Sequence, residues 1–547
     1  MGKDKEEAVV VPDVPTDDDI AAQPFVDETG APATLPDVGN GGEESKMKVL
    51  LGLLRKLVGV KDVANLRLSL PASLLEPIPN LEYWQYADRA DVFAAIGDSE
   101  DELERFLSVL RFSFSKDLKF VRARLGKPYN SALGEHFRCS WHLPPMIVDK
   151  QTGEPIVRTH IHVPLPGEPA YGGQGGSGWT TPVLRPQDGG KTTSSETSSI
   201  RSFQSAASKT KPLSKSKNKS TDTLPGTINR AIPGPGEEVE AEPDAGVVDS
   251  EKVSVVFLCE QISHHPPISA AYYGCPERGI EAVCVDQITA KVSGMSVRVG
   301  PGPSNQGIFV KINRDGPGKG EEYRISHPFA QVNGILKGAY YGTISDQISV
   351  TCMGGEPSKT KLRALIDYKD ESWLGKPRFL LDGVIYKYTP GDEDHENWTK
   401  PKQVPSDLVV AHIEGCWMKE VKYRLKGEKE WRVLLDLDQL ALIPKSVRPL
   451  EEQDEQESRR LWDPVTQNLL SKNWSEATKQ KQIIEQRQRE LAAKRKANNE
   501  EFVPRFFEVD ISDGRPKLSE GGRKAIQEEV ERIKKEKAAA GGGQGSL

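Results

Sequence analysis

Two adjacent histidines, His264 and His265, have the residue type and spacing that most directly suggest chemistry in this sequence. They lie in the segment EQISHHPP at residues 260–267, directly before two prolines. Because proline lacks a backbone N–H and restricts the residue before it, we expect the histidines to leave a strand on stiff, extended chain. Two neighbouring imidazoles can donate hydrogen bonds to a phosphate, whose charge makes each ring more basic. The pattern favours either a phosphate site or a purely structural role.

Metal binding and catalysis fit the same segment poorly. Cys259 and Cys275 are nearby thiols, but their spacing to the histidines matches no zinc motif. Ser263 precedes the pair, but the sequence around it is not that of a nucleophile elbow. We therefore predict that the protein is not an enzyme and that it has no catalytic residues, no metal site and no cofactor.

A second candidate group lies towards the C-terminal end of the sequence and consists of Lys481, Glu485 and Arg489. Their spacing of four residues places all three side chains on one face of a helix. Alternating charges at this spacing are typical of a solvated ladder of ion pairs. The same face could instead present two cations and a carboxylate to a polar ligand. The spacing alone leaves both interpretations open.

The composition indicates a globular cytosolic protein. Lys and Arg number 73 against 80 Asp and Glu, a net charge of −7, so bulk nucleic-acid binding is not expected. Six cysteines in 547 residues are too few for a disulfide scaffold. No apolar run approaches the length of a membrane span, and the acidic N-terminus does not resemble a secretory signal. We expect any membrane contact to be peripheral.

The first 60 residues contain two segments of different composition. Residues 1–45 carry twelve acidic and two basic side chains and are predicted to be disordered. Residues 47–58 instead repeat apolar side chains at helical spacing, with basic residues among them. This pattern predicts an amphipathic helix, which either packs on its own core or meets an apolar ligand or a membrane surface.

The elements that must position the candidate residues are mostly strands. From residue 252 to about 443, short alternating runs recur between Gly, Pro, Asn and Asp. Many short strands indicate an antiparallel barrel or sandwich, and a barrel of this size can enclose a cavity. No βαβ rhythm is present, which argues against a nucleotide-dependent oxidoreductase. The predicted strands are 253–258, 280–285, 307–312, 334–341, 347–353, 362–368, 379–388, 421–425 and 431–437.

One long biased segment and several helices complete the predicted organisation. Residues 143–251 are rich in Ser, Lys, Gly and Pro and are predicted to be a disordered insert. Helices are predicted at 100–114, 451–470 and 475–499 from their periodicity. Residues 512–547 are predicted to form a charged helical tail with a Gly-rich end, which we expect to be mobile.

The segment EQISHHPP resembles the signature of the oxysterol-binding-protein-related lipid-transfer family. The resemblance covers roughly residues 46–142 and 252–511, which implies one lipid-transfer domain at 46–511 around the insert. Three further segments support it: LSLPASLLEP at 68–77, GKPYNSALGE at 126–135 followed by Phe137-Arg138-Cys139, and WSEAT at 474–478 followed by Lys481, Glu485 and Arg489.

The resemblance implies a mostly β fold with helical additions: a large, nearly closed antiparallel β-barrel around a lipid tunnel, an N-terminal amphipathic lid and C-terminal helices. It implies that the tunnel binds phosphatidylinositol 4-phosphate and a second lipid in alternation. The residues that match the phosphoinositide site are His264, His265, Lys127, Asn130, Lys481, Glu485 and Arg489. The residues that match the lid helix are Leu50, Leu51, Leu54, Leu57 and Val58.

The second lipid implied by the resemblance is either phosphatidylserine or a sterol. The sequence KPYN at 127–130 is more similar to the phosphatidylserine group, since a sterol carrier of the family has Leu where Tyr129 stands. Ser131-Ala132 departs from the family's usual Pro and bulky apolar residue. The residues that match the second-lipid headgroup and lid positions are Leu70, Lys127, Asn130 and Ser296.

The function predicted from these observations is exchange of phosphatidylserine for phosphatidylinositol 4-phosphate between membranes. A sterol exchanger and a lipid-occupancy sensor that signals through partners are the alternatives. The expected partners are these lipids and anionic membrane surfaces, and not nucleic acid. The expected location is cytoplasmic and peripheral, at membranes such as endoplasmic reticulum contact sites.

Overall fold

The computed structural model describes part of the 547-residue chain. The expected lid helix at 47–58, the residue Leu70 and most of the predicted insert lie outside the described residues. No helix in the described part is both long enough and apolar enough to cross a membrane. The described residues are 33–34, 68–69, 75–122, 127–157, 251–293, 296–333, 341–355, 360–371, 377–440 and 442–541.

Strands dominate the described chain, and α-helices precede and follow them. The helices are α1 Asn80–Tyr83, α2 Ala90–Ala94, α3 Glu102–Ser115, α4 Leu118–Arg122, α5 Ser458–Leu470, α6 Trp474–Asn498 and α7 Glu520–Gly541. The strands are β1 Ala33–Thr34, β2 Leu68–Ser69, β3 His136–Leu143, β4 Ile147–Val148, β5 Pro155–Ile156, β6 Val253–His264, β7 Pro267–Cys275, β8 Ile280–Ser293, β9 Ser296–Pro301, β10 Ile308–Ile312, β11 Glu321–Ile325, β12 Phe329–Asn333, β13 Tyr341–Gly354, β14 Lys361–Tyr368, β15 Leu380–Tyr388, β16 Val409–Cys416, β17 Glu420–Leu425 and β18 Arg432–Asp436.

One sheet of fourteen strands forms the body of the protein, and each of its pairings is antiparallel. Its main path runs from β18 through β13, β8 and β6 to β3 at the other end. The long strands β8 and β13 each continue past their first partners and support the branch β9–β12. The predicted mostly β, antiparallel fold is therefore confirmed.

Helices α2 and α3 pack against the sheet. Helix α3 begins at Asp101, whose side-chain oxygen accepts a hydrogen bond from the backbone N–H of Glu104 at 2.9 Å. Its apolar side chains join those of α2 and the strands in one continuous buried core. Aromatic rings connect the layers, as where Phe93 of α2 lies 6.3 Å from Tyr273 of β7. The helix predicted at 100–114 is thus confirmed as part of this core.

The two ends of the strand order are joined by irregular chain. Residues 443–457 run along the outer edge of β3, where Ser140 and Ser446 exchange backbone hydrogen bonds of 2.9 and 2.8 Å. We call this junction the seam. Arg532 of α7 donates to the hydroxyl oxygens of Ser140 at 2.7 Å and Ser446 at 3.0 Å, so its guanidinium bridges both sides. The edge of β3 is thereby covered.

Two boundaries differ from the sequence prediction. Residues 143–157, placed in the disordered insert, complete β3 and form the β4–β5 hairpin, and Met146 is buried. Helix α7, expected in a mobile tail, packs on β6 through Ile526 and Ile533. The many charged residues of α7 made a buried position unexpected from the sequence. One of them, Glu529, is fully buried and is paired with Arg448 at 2.6 Å.

Candidate functional site

The histidine pair lies at the turn between β6 and β7. His264 is the last residue of β6, both rings are exposed, and their centroids are 4.4 Å apart. The peptide bond between His265 and Pro266 is cis. Ser263 donates its hydroxyl hydrogen to the carbonyl oxygen of Pro266 at 2.7 Å, and Gln261 donates a side-chain N–H to the carbonyl oxygen of Ser263 at 2.6 Å. These bonds hold the turn in a defined shape while both imidazoles face solvent.

Lys127 and Asn130 lie on the turn that precedes β3. The Lys127 ammonium donates to the Asn130 side-chain oxygen at 2.7 Å and to the Pro128 carbonyl oxygen at 3.2 Å. Desolvation, and then repulsion from the Lys481 ammonium, lowers the pKa of Lys127 to about 8. The residue as a whole is exposed.

Helix α6 carries the third group. The Lys481 side chain is buried, with 3% of the residue exposed, and its ammonium donates to the Glu485 carboxylate at 2.6 Å. Arg489 is exposed and donates to the side-chain oxygen of Gln486 at 3.0 Å. The helix and the i, i+4 contact between Lys481 and Glu485 are as the sequence predicted.

Two of the three groups start from the same end of the β3–β6 pair. The backbone N–H of Gly134 donates to the carbonyl oxygen of Gln261 at 2.9 Å, so the turn with Lys127 and the turn with His264 begin from paired chains. The third group is on α6, whose Ala477 belongs to the same buried apolar cluster as Tyr129 of the first turn. We call the residues Lys127, Asn130, His264, His265, Lys481, Glu485 and Arg489 the cationic rim.

The cationic rim is electrostatically suited to an anion. Two lysines that repel each other would both gain from a negative charge between them. Imidazole, guanidinium and ammonium groups also form short, charge-assisted hydrogen bonds with phosphate oxygens. A phosphomonoester with several free oxygens is therefore the ligand class that this group of side chains can best recognise.

The residues predicted for the second lipid are less connected. Leu70 lies outside the described residues, and Lys127 and Asn130 belong to the cationic rim. Ser296 is the first residue of β9, which pairs with the C-terminal part of β8. Its hydroxyl oxygen accepts a hydrogen bond from Gln331 at 3.1 Å. Its contact with a lipid headgroup stays a prediction.

Tyr129, which favoured the phosphatidylserine group in the sequence comparison, is a core residue. It is fully buried, its hydroxyl is hydrogen bonded to that of Thr466 at 2.8 Å, and its ring lies 4.9 Å from that of Trp462. The side chain therefore shapes the turn through packing against α5. It supplies no polar atom to the exposed rim.

Two motif carboxylates have structural contacts that the sequence did not reveal. Glu135 accepts hydrogen bonds from the backbone N–H of Ala132 and from Trp462 and Ser458 of α5. Glu260 accepts from the backbone N–H groups of Arg505 at 2.7 Å and Phe506 at 2.8 Å. The sequence offered one indication of their importance, their position inside GKPYNSALGE and EQISHHPP. Residue type alone did not show that both side chains are buried.

One group among the described residues has the composition of a metal site. Ligand atoms of His136, Asp454 and Glu457 lie within 4.8 Å of one another. Arg505 donates to Asp454 and Arg138 to Glu457, each at 2.8 Å, so both carboxylates are already matched by cations. Two arginines beside a metal ion would repel it, and we interpret this group as an ion-pair network.

Comparisons with known proteins agree with this architecture. The family model described as oxysterol-binding protein matches residues 49–158 and 244–469. Oxysterol-binding protein-like protein 1 of Schizosaccharomyces pombe (strain 972 / ATCC 24843) is 40% identical over 499 residues, covering 89% of this chain and 92% of that protein. The chain belongs to the oxysterol-binding protein family.

More distant relatives are larger or share only the fold. Oxysterol-binding protein-related protein 11 of Homo sapiens is 28% identical over 455 residues, and the match covers 82% of this chain but 46% of that protein. The solved Osh1 ORD domain in complex with cholesterol has a TM-score of 0.51 and 17% identity, covering 88% of this chain and 89% of that chain. At this identity the structural match shows the fold alone, which is the barrel-like tunnel fold of these lipid-binding domains.

Proposed function

We propose that this protein exchanges phosphatidylserine for phosphatidylinositol 4-phosphate between membranes and catalyses no covalent reaction. The observation that supports the proposal is the cationic rim: the turns that carry Lys127 and His264 begin from paired chains, and Tyr129 of the first turn shares a buried cluster with Ala477 of α6, four residues before Lys481. A 4-phosphate offers the dianionic, multiply accepting group that such a rim recognises. Membership of the oxysterol-binding protein family supports lipid as the cargo.

The physical basis of transfer is the cost of exposing acyl chains to water. Each CH₂ group moved from an apolar environment into water costs about 0.8 kcal/mol, so a two-chain lipid crosses the aqueous phase very slowly alone. A tunnel with apolar walls removes most of that cost. The segment at 47–58, with its apolar and basic side chains, would cover the cargo and meet anionic membranes when open.

A sterol is the second candidate for the exchanged lipid. The related Osh1 domain was solved with cholesterol and with ergosterol. Inside this protein, Tyr86 donates its hydroxyl hydrogen to Asp286 at 2.8 Å, Asn305 donates to the same carboxylate at 3.2 Å, and burial raises the pKa of Asp286 to about 6. A polar group of this kind at the border of the apolar core suits the single hydroxyl group of a sterol.

A liposome transfer assay distinguishes these candidates. Donor vesicles carry labelled phosphatidylserine or labelled sterol, and acceptor vesicles contain or lack phosphatidylinositol 4-phosphate. We expect phosphatidylserine transfer that accelerates when the phosphoinositide is present. Transfer of sterol without transfer of phosphatidylserine would indicate that the exchanged lipid is a sterol. Tight binding without transfer of either lipid would favour the sensor, and release of inorganic phosphate would contradict a carrier without enzymatic activity.

Leu70→Asp tests the residue predicted to lie at the base of the lid. A carboxylate there would repel an anionic headgroup and resist burial. We expect at least a tenfold loss of phosphatidylserine extraction from vesicles, with a smaller effect on phosphatidylinositol 4-phosphate. Leu70→Met is the matched control and should extract both lipids normally. Normal phosphatidylserine extraction by the aspartate variant would contradict the assignment of Leu70.

A further inference from the structure

The buried residue Glu135 bonds the two chain segments that carry Lys127 and His264, and it also bonds helix α5, which precedes α6. We propose that Glu135 is the positioning residue of the phosphoinositide site, which it assembles by bonding the first two segments directly and the third through α5. This inference rests on the function proposed above. Glu135 itself touches no ligand, because its side chain is fully buried and is directed toward α5.

The side chain of Glu135 joins the turn of residues 127–132, here called the lysine turn, to α5. One carboxylate oxygen accepts from the backbone N–H of Ala132 at 2.8 Å and from the indole N–H of Trp462 at 2.9 Å. The other oxygen accepts from the hydroxyl of Ser458 at 2.7 Å. Ala132 lies two residues after Asn130, so these bonds fix the turn that carries the rim residues.

The backbone of Glu135 joins the same point to the histidine turn. Its carbonyl oxygen accepts from the backbone N–H of Gln261 at 2.8 Å, three residues before His264. Helix α5 ends at Leu470, and α6 with Lys481 starts only four residues later. A displacement of Glu135 would therefore change the distances among the lysine turn, the histidine turn and α6 together.

The contacts of Glu135 require an accepting oxygen. The backbone N–H of Ala132 and the indole N–H of Trp462 can only donate, and both bond the same carboxylate oxygen. Glutamine would keep these bonds, because its amide oxygen can take that position while its NH₂ group donates to the Ser458 hydroxyl, which can donate to the carbonyl oxygen of His136 at 3.1 Å. Methionine has a similar length but no strong acceptor, so E135M leaves the buried donors unsatisfied and forces the surrounding segments apart.

The test compares E135M with E260M in the 547-residue chain. Glu260 is an equally buried carboxylate with two backbone donors, but it ties β6 to residues 505–506 rather than to the other rim segments. Binding is measured with vesicles that contain phosphatidylinositol 4-phosphate. We expect E135M to bind at least tenfold more weakly and E260M to remain within about threefold of wild type. Equal losses in both variants would overturn the proposal.

The pH profile provides a readout that a loss of stability alone would not move. Lys127 has a pKa of about 8, so wild-type affinity should fall as pH rises through 8 and the ammonium loses its proton. In E135M the turn moves away from Lys481, and the inflection should shift towards the higher pKa of an ordinary lysine. K127R serves as the reference without an inflection in this range. An unchanged affinity and inflection in E135M would overturn the proposal.

Two further outcomes separate this inference from the proposed function. If E135M fails to fold, S458A removes one donor only, and a weaker loss in the same direction supports the proposal, whereas no change in affinity or pH inflection contradicts it. If wild type itself does not bind phosphatidylinositol 4-phosphate, the proposed function fails. If wild type binds and H264A does not, while E135M behaves as wild type, the positioning role alone is wrong.

Discussion

In the cationic rim, the ammonium groups of Lys127 and Lys481 repel each other, whereas the nearby Glu82 carboxylate is enclosed by Arg459 and Lys445. Glu82 accepts from Arg459 through both oxygens, at 2.9 and 2.7 Å, and its side chain is fully buried. Burial disfavours its charge, but the two cations outweigh that effect and lower the pKa of Glu82 to about 2. Positive and negative charges are thus balanced at the buried contact between helices, whereas positive charge is in excess at the cationic rim.

Arg459→Met should give the largest effect, because it breaks the balanced region. It leaves the buried Glu82 carboxylate with Lys445 alone, and removal of one partner of a buried pair costs about 3–5 kcal/mol. Chemical denaturation measures this loss. Arg487→Gln is the control, since its pair with Glu455 is largely exposed and should contribute within about 0.5 kcal/mol. Equal stability of both variants would remove the distinction between the two regions.

The same pair predicts the acid response of the fold. Because the folded-state pKa of Glu82 is depressed from 4.5 to about 2, its contribution to the free energy of unfolding is present above pH 4.5. That contribution is lost as pH falls towards 2. Wild type should therefore lose more stability than R459M over this interval, as measured by denaturation at several pH values. Parallel curves would show that Glu82 is not linked to acid unfolding.

The histidine pair gives the next largest effect, and it tests the region of excess charge. Replacing His264 and His265 by alanine removes two charge-assisted hydrogen bonds to phosphate, about 3 kcal/mol or 100-fold in affinity. Both rings are exposed, so stability should change little. Binding and transfer of the second lipid, both measured with vesicles, should be largely retained. Equal loss of both lipids would contradict this division of roles.

Lys127→Met should have the smallest effect of the three and should divide the rim itself. Loss of one ammonium is expected to weaken phosphatidylinositol 4-phosphate binding about tenfold. In contrast to the histidine variant, it should also weaken phosphatidylserine binding, because Lys127 is predicted to serve both headgroups. Titration with each lipid separately measures the two affinities. Unchanged phosphatidylserine binding would limit Lys127 to the phosphoinositide.

Local pattern predicted the elements that carry the site, and it failed where contacts join distant parts of the chain. The HisHisProPro turn and the helix with Lys481 follow from proline restriction and from i, i+4 spacing. The buried role of Glu135 depends on Trp462, more than 300 residues away. Likewise, Arg448 and Glu529 are 81 residues apart, so periodicity could not show that α7 is an integral helix.

The strand prediction shows the same limit. Runs such as 253–258 and 362–368 are strands because their β-branched and apolar residues alternate or cluster. Strand β3 was not predicted, since its sequence HFRCSWHL mixes charged and apolar residues, yet seven of its eight residues are buried. Its polar side chains are covered by α5, α7 and the seam, which only the assembled fold brings together.

The seam also sets an order of events during synthesis. Arg532, which bonds both Ser140 and Ser446, leaves the ribosome 86 residues after Ser446. At roughly 5–20 residues per second, about 10 s separate the two. During that interval residues 443–457 can already pair with the edge of β3 through backbone hydrogen bonds, but the guanidinium that bridges the two serines is still missing. The seam is therefore held by its backbone bonds alone until α7 has been made.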